Sequence, residues 1–158
     1  MKLNTTINGV KKSFEIQAGE LLLDFLRREG YWGVKRGCET GDCGSCAVLI
    51  DGKSTASCLT LAGQVQDREV TTIEGLGTPR DPHPLQSCFV ESAGTQCGFC
   101  IPGMILSAAE LLKSNPKPSQ EQIAEALDGN ICRCTGYVKQ FEAVKNAAAK
   151  ILSSGGKK

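Results

Sequence analysis

Four cysteines in the first half of the chain have a spacing that suits iron–sulfur chemistry. Cys38 is followed after four residues by Cys43, after two more by Cys46, and after eleven more by Cys58. This arrangement is the plant-type spacing for a [2Fe–2S] cluster. We expect the glycines at positions 37, 41 and 44 to allow positive φ and to keep side chains off the cluster, so that backbone N–H groups point at the sulfurs. The spacing therefore predicts a first cluster on these four thiolates.

Four further cysteines form two close pairs in the second half of the chain. Two residues separate Cys97 from Cys100, one residue separates Cys132 from Cys134, and 31 residues lie between the pairs. Each pair precedes a predicted helix, whose N-terminus offers free N–H groups and partial positive charge to an anionic cluster. Alone, the first pair would also suit a thioredoxin-like motif, but no βαβ pattern surrounds it. These four thiolates are predicted to hold a second [2Fe–2S] cluster.

Disulfides and structural zinc are the competing explanations for nine cysteines. The N-terminal residues lack the apolar core of an export signal, and because the cytosol keeps thiols reduced, a disulfide framework is a poor explanation. The single histidine, His83, excludes a two-Cys, two-His zinc finger and a Rieske cluster. A four-cysteine zinc site stays open as an alternative. We expect a cytoplasmic protein.

Length, charge and hydropathy exclude several other classes of protein. A chain of 158 residues with 41% hydrophobic content is long enough for one domain or two small ones. The formal net charge of +1 provides no basic surface for nucleic acid. No segment approaches the roughly 18 apolar residues that a membrane-spanning helix needs.

The first half of the chain has the pattern of a small sheet with one helix. Residues 2–7 alternate as a strand does, Asn8 and Gly9 form a hairpin turn, and residues 12–17 are the expected second strand. A helix over 20–28 is expected to end at Gly30. Further strands are predicted over 46–51, 54–59 and 69–73. The sequence therefore predicts an α+β domain over residues 1–75.

The second half of the chain has a helical pattern. Residues 76–84 contain three prolines and are predicted to be a linker. Helices are predicted over 85–93, 102–113, 119–127 and 138–152, with a frayed tail over 153–158. An all-helical domain is therefore expected over residues 85–158.

A few chemically distinctive residues lie outside the two predicted ligand sets. Cys88 falls on the first predicted helix of the second half and is expected to pack as a buried free thiol. His83 is assigned to the linker, without a catalytic role. Tyr31 and Trp32, beside the first cysteine loop, are expected to be packing residues. Arg133 is either a residue that tunes the second cluster or a solvated or interface arginine.

Taken together, three segments carry a resemblance to a known family. They are residues 35–46 (KRGCETGDCGSC), 96–104 (QCGFCIPGM) and 129–137 (GNICRCTGY). In this order they resemble the small iron–sulfur subunit of the molybdenum hydroxylases, the xanthine dehydrogenase/aldehyde oxidase family. Ser45, Ala47 and Ile101 depart from the residues common in that family, and none of the three is a predicted ligand.

The resemblance implies a fold and an electron-transfer role. It implies a ferredoxin-like β-grasp domain followed by a four-helix-bundle [2Fe–2S] domain. Such a chain relays electrons between a molybdopterin cofactor on a large subunit and FAD on a medium subunit, commonly in a dimer of heterotrimers. Its second cluster would lie nearer molybdenum and its first nearer the flavin. Gln96 and Cys134 would contact the molybdopterin, and no catalytic residue is expected in this chain.

The resemblance leaves the substrate of the complex open. A purine such as xanthine, or another N-heterocycle, is the first expectation. An aldehyde, nicotinate, carbon monoxide or a 4-hydroxybenzoyl-CoA type of substrate are alternatives. A free-standing two-cluster carrier is a further alternative, although a simple ferredoxin needs only about the first 75 residues and such carriers tend to be acidic. A non-enzymatic redox sensor or structural metal protein is the remaining alternative, and the glutamine at position 96 argues against a sensor.

Overall fold

The first part of the chain folds as a mixed sheet with one helix. A computed structural model describes residues 1–155. The strands are β1 (Lys2–Ile7), β2 (Val10–Glu15), β3 (Ala47–Ile50), β4 (Lys53–Ala56) and β5 (Glu69–Thr71). These five strands have the spatial order β2-β1-β5-β3-β4, in which only β1 and β5 pair in parallel. Helix α1 (Leu22–Arg28) buries Leu22, Leu23, Phe25 and Leu26 in the core of this part.

Two predicted strands differ from the structure in informative ways. The second strand begins at Val10 rather than at residue 12, because Asn8 and Gly9, both with positive φ, close a two-residue turn that pairs Val10 with Ile7. The strand predicted over 54–59 ends at Ala56, and Ser57–Leu59 forms a 3₁₀ turn instead. There the Ser57 hydroxyl donates to the Cys46 carbonyl at 2.7 Å, which turns the chain inward.

The second part of the chain is helical and has its own core. A single helical turn, α2 (Ile73–Leu76), leads into it. The longer helices are α3 (Pro84–Glu91), α4 (Ile101–Ser114), α5 (Gln120–Leu127) and α6 (Val138–Ser153). Their apolar faces meet around Leu85, Phe89, Met104 and Val144, all fully buried. A sheet-containing part followed by a helical part is thus confirmed. Of the predicted tail, residues 156–158 lie outside the described residues.

The two parts touch where the first cysteine loop meets the start of α4. The Ile131 N–H donates to the Cys43 carbonyl at 3.0 Å, which ties the loops of the two cysteine groups together. Beside this bond, a Cβ on Gly103 would overlap the Gly44 carbonyl oxygen, and a Cβ on Gly44 would overlap the Gly129 carbonyl oxygen. Further along, the Ser54 N–H donates to a Glu110 carboxylate oxygen at 2.7 Å. None of the helices within residues 1–155 combines the length and apolar character needed to cross a membrane.

Candidate metal centres

The first cysteine group lies on a loop between α1 and β3, together with the 3₁₀ turn after β4. Within the loop, the Cys38 N–H donates to Cys43 Sγ and the Cys43 N–H donates to Cys38 Sγ, each at 3.4 Å. The Thr40 N–H also donates to Cys38 Sγ at 3.4 Å. Backbone N–H groups therefore point at the sulfurs, as the sequence predicts, and they would stabilise anionic thiolates there.

The four thiols of this group form two pairs with different surroundings. Cys38 pairs with Cys43 toward the surface, while Cys46 pairs with Cys58 inside the first core. Hydrogen bonds from the Thr40 side chain and from the backbone lower the pKa of Cys38 to about 6. Burial, followed by the contact with Cys46, raises the pKa of Cys58 to about 11. The Cys38–Cys43 side of the group is thus more exposed to solvent, and the Cys46–Cys58 side is buried.

The second cysteine group joins the starts of α4 and α6, as predicted. Cys134 Sγ lies 3.6 Å from Cys97 Sγ, and Cys100 pairs with Cys132. Burial raises the pKa of Cys100 to about 12, with the neighbouring Cys132 adding to the effect. For Cys132, burial opposes ionisation, but hydrogen bonds led by the Thr135 hydroxyl lower the pKa to about 7. Here too, one pair is exposed and the other is more buried.

The loop glycines serve the site in two different ways. Gly41 and Gly44 have φ of +89° and +67°, the positive values that the sequence predicts. Gly37 is not among the residues with positive φ, but it meets the other expectation, that these glycines keep side chains away from the sulfurs. A Cβ on Gly37 would lie 2.6 Å from Cys43 Sγ. A glycine is required at position 37 because a sulfur occupies the space of a side chain.

The geometry of the eight thiols suits two binuclear clusters. Each [2Fe–2S] cluster takes four thiolates, two on each iron. The thiols lie in four close pairs, two pairs in each group. Among residues 1–155, no three or more Cys, His, Asp or Glu side chains are arranged around one position suited to a single metal ion. A cavity of about 220 Å³ is lined by Cys38 and Cys43 from the first group and by all four cysteines of the second.

The predicted molybdopterin contacts lie on one exposed edge of the helical part. Gln96, Cys97 and Cys134 are all exposed. Phe99 and Ile131, which are 46% and 54% exposed, line the neighbouring cavity between the cysteine loops. Arg133 is exposed as well. The structure therefore leaves this edge accessible to a partner or a ligand.

Several side chains around the thiols were not singled out by the sequence. The Thr135 hydroxyl lies 3.2 Å from Cys132 Sγ, and the Tyr137 hydroxyl accepts a hydrogen bond from the Cys132 N–H at 2.7 Å. Tyr137 adopts a φ of +69° to reach this position. In the sequence, the available signal for Thr135 was a threonine within three residues of a predicted cysteine ligand. The same signal applies to Thr40. For Gln140, whose amide lies near Cys100, the only signal is a polar residue on the buried face of α6.

The remaining distinctive residues have structural positions. Cys88 is fully buried in the helical core, as expected of a packed free thiol. His83 lies in the predicted linker and also caps α3, where its Nδ1 accepts from the Leu85 N–H at 3.2 Å. Tyr31 packs against the first core. The packing role expected for Trp32 is wrong, because its side chain is 61% exposed, with the Arg27 guanidinium over the ring at 5.2 Å.

Both parts of the chain match families of known proteins that bind [2Fe–2S] clusters. Residues 5–75 match a family model described as a 2Fe-2S iron-sulfur cluster binding domain. Residues 72–145 match a model described as a [2Fe-2S] binding domain. The chain therefore contains two [2Fe–2S]-binding domains, which defines it as a two-cluster iron–sulfur protein.

Individual relatives narrow this class. The chain is 43% identical over 149 residues to the nicotinate dehydrogenase small FeS subunit of Eubacterium barkeri, covering 94% of this chain and 95% of that subunit. It is 47% identical over 150 residues to the aldehyde oxidoreductase of Megalodesulfovibrio gigas, covering 92% of this chain but 16% of that longer protein. The structure of quinoline 2-oxidoreductase from Pseudomonas putida 86 matches with a TM-score of 0.94 and 41% identity, covering 99% of this chain and 98% of the matched one.

These relatives are oxidoreductases or their iron–sulfur subunits. The chain belongs to the family of the small iron–sulfur subunits of molybdenum hydroxylases. Because a similar sequence makes up a small part of the longer M. gigas protein, the family's iron–sulfur unit works alongside other domains or subunits.

Proposed function

We propose that this chain is the non-catalytic electron-transfer subunit of a molybdopterin-dependent hydroxylase. In this proposal, residues 1–75 are a β-grasp domain, 76–84 are a linker and 85–158 are a four-helix-bundle domain. The first [2Fe–2S] cluster is bound by Cys38, Cys43, Cys46 and Cys58, and the second by Cys97, Cys100, Cys132 and Cys134. Each cluster accepts and releases one electron, and the protein holds it in place and sets its potential.

The observation that carries this proposal is the arrangement of eight thiols in four pairs, three of which line one cavity. Two pairs in each group match the two irons of a [2Fe–2S] cluster, and no other described residues are needed to complete either site. The Cys43 carbonyl accepts from the Ile131 N–H, and Ile131 directly precedes Cys132, so the two groups are held at a short, defined separation. A fixed short separation is what an electron relay between two clusters requires.

The exposed edge of the second group supports a contact with a large molybdopterin-binding subunit. Gln96 and Cys134 lie on this edge, and Cys134 would reach the molybdopterin while also holding iron. The first group, on the other domain, would be the one nearer a medium subunit that carries FAD. A dimer of such heterotrimers and a cytoplasmic location complete the proposal.

For the substrate of the complex, we propose an N-heterocycle. Two of the relatives described above are named for nicotinate and quinoline, which are N-heterocycles. The 47% identical relative is named for aldehydes, and this favours an aldehyde as the second candidate. Xanthine, which is itself an N-heterocycle, stays a prediction. The substrate pocket itself would lie on the large subunit.

The test is to purify the chain with its natural partners by gentle native pull-down, followed by mass spectrometry, metal analysis and EPR. We expect four irons per chain, two distinct [2Fe–2S] signals on reduction, and two further subunits, one binding molybdopterin and one binding FAD. Zinc in place of iron, or only two irons, would contradict the two-cluster assignment. A chain that returns alone with four irons would support a free-standing carrier instead.

A further inference from the structure

One buried polar side chain near the second cysteine group has half of its hydrogen-bonding capacity unused. Gln140, in the first turn of α6, is 0% exposed. Its amide nitrogen lies 3.9 Å from Cys100 Sγ. Its carbonyl oxygen is buried and has no hydrogen-bond partner among residues 1–155. The amide is thus held against a cysteine sulfur at the bottom of the group, away from solvent.

Packing by itself does not explain an amide at this position. Leaving a buried polar group unsatisfied costs about 1–3 kcal/mol, and an apolar side chain of the same size would avoid that cost. The neighbouring buried positions of α6 are Ala143, Val144 and Ala147, which are all apolar. An amide among them becomes favourable when the sulfur beside it is anionic, because hydrogen bonds to charged acceptors are roughly twice as strong as neutral ones.

Cys100 is the one cysteine of the second group whose side chain is buried. Water therefore competes less for its sulfur than for the other three, and a fixed donor has a larger effect there. Cys132, its partner, already receives a hydrogen bond from the Thr135 hydroxyl. For Cys100, Gln140 is the side-chain N–H donor that the structure supplies. A thiolate accepts hydrogen bonds only, so with iron bound the NH₂ end of the amide faces the sulfur.

We propose that Gln140 is a positioning residue of the second cluster that donates an N–H bond to the Cys100 sulfur and raises the reduction potential of that cluster. The physical reason is that reduction adds one negative charge to the cluster, and a fixed donor stabilises the reduced form more than the oxidised form. The inference rests on the proposed function, since it requires that the second group bind a [2Fe–2S] cluster.

The test measures the potential of each cluster in the purified complex by redox titration followed with EPR. Gln140→Met keeps the length of the side chain and removes the donor. Gln140→Glu keeps both the shape and a donor, because a carboxyl group buried beside an anionic sulfur is protonated. At the midpoint potential of the unmodified second cluster, we expect the ratio of reduced to oxidised cluster to fall about tenfold in Gln140→Met, which is ~59 mV for one electron. In Gln140→Glu it should fall less than in Gln140→Met.

The first cluster is an internal control, and its potential should not change in either variant. Gln120→Met, at an exposed position of α5, is the matched control and should leave both potentials unchanged. A second-cluster potential in Gln140→Met equal to that of the unmodified protein would overturn the inference. Loss of two irons in both variants would also overturn it, because the amide would then be needed for assembly. The proposed function is tested separately, by the iron content and the two signals of the unmodified protein.

Discussion

Replacing Gly44 with alanine would test whether the contact between the two domains is rigid. Gly44 has a φ of +67°, and a Cβ there would overlap the Gly129 carbonyl oxygen and lie 2.6 Å from Asn130 Oδ1. Gly136 offers a matched control, because its φ is +68° and nothing lies within 4 Å of where its Cβ would be. Both glycines lie within two residues of a predicted ligand, so the two variants differ chiefly in the overlap at the domain contact.

The expected difference follows from two separable costs. Alanine at a left-handed φ costs about 1–2 kcal/mol, and this strain is common to both variants. Overpacking a tight site costs a further 1–3 kcal/mol or so, and this applies to Gly44→Ala alone. Taking about 2 kcal/mol for the overlap, and about 2–4 °C per kcal/mol for a protein of this size, Gly44→Ala should unfold roughly 4–8 °C below Gly136→Ala.

The assay compares the thermal unfolding of the two variants after their iron contents have been shown to be equal. EPR of the fully reduced protein adds a second readout, because magnetic coupling between two clusters depends on their separation. We expect Gly44→Ala to change this coupling and Gly136→Ala to leave it unchanged. Equal unfolding temperatures together with equal coupling would refute the reasoning, since the two domains would then move apart at little cost.

Four other predictions follow from the same structure. Cys134→Ser should remove the two irons of the second cluster and leave the first EPR signal intact; loss of both signals would contradict two independent sites. Cys88→Ala should keep four irons, measured by metal analysis, and lower the unfolding temperature, because it leaves a small cavity in the helical core. His83→Ala should cost about 1 kcal/mol through loss of the α3 cap, with unchanged iron content. Chelating the iron should make residues 29–46 sensitive to protease, because α1 ends before this segment and β3 begins after it; an unchanged cleavage pattern would show that the loop holds its form without metal.

Features that depend on residues close together in the chain could be predicted from the sequence. The Asn8-Gly9 turn, the helix over α1 and the start of α4 after Cys100 all follow from local backbone preferences. The error over residues 57–59 arose where a contact with a different segment decides the local structure, because Ser57 leaves the strand and bonds to Cys46. At position 37 the sequence indicates a glycine, but only the structure shows that the sulfur of Cys43 takes the place of a side chain.

By itself, the sequence determined the grouping of the cysteines, the type of cluster that the spacing suits and the order of the two domains, because short loops restrict which thiols can converge. Only the tertiary structure decided how Cys58 meets Cys46, how Cys134 meets Cys97, and how the two groups come to share one cavity. The same is true of the amide of Gln140 beside Cys100. These contacts join segments far apart in the chain, and they exist only because the packing of two cores brings those segments together.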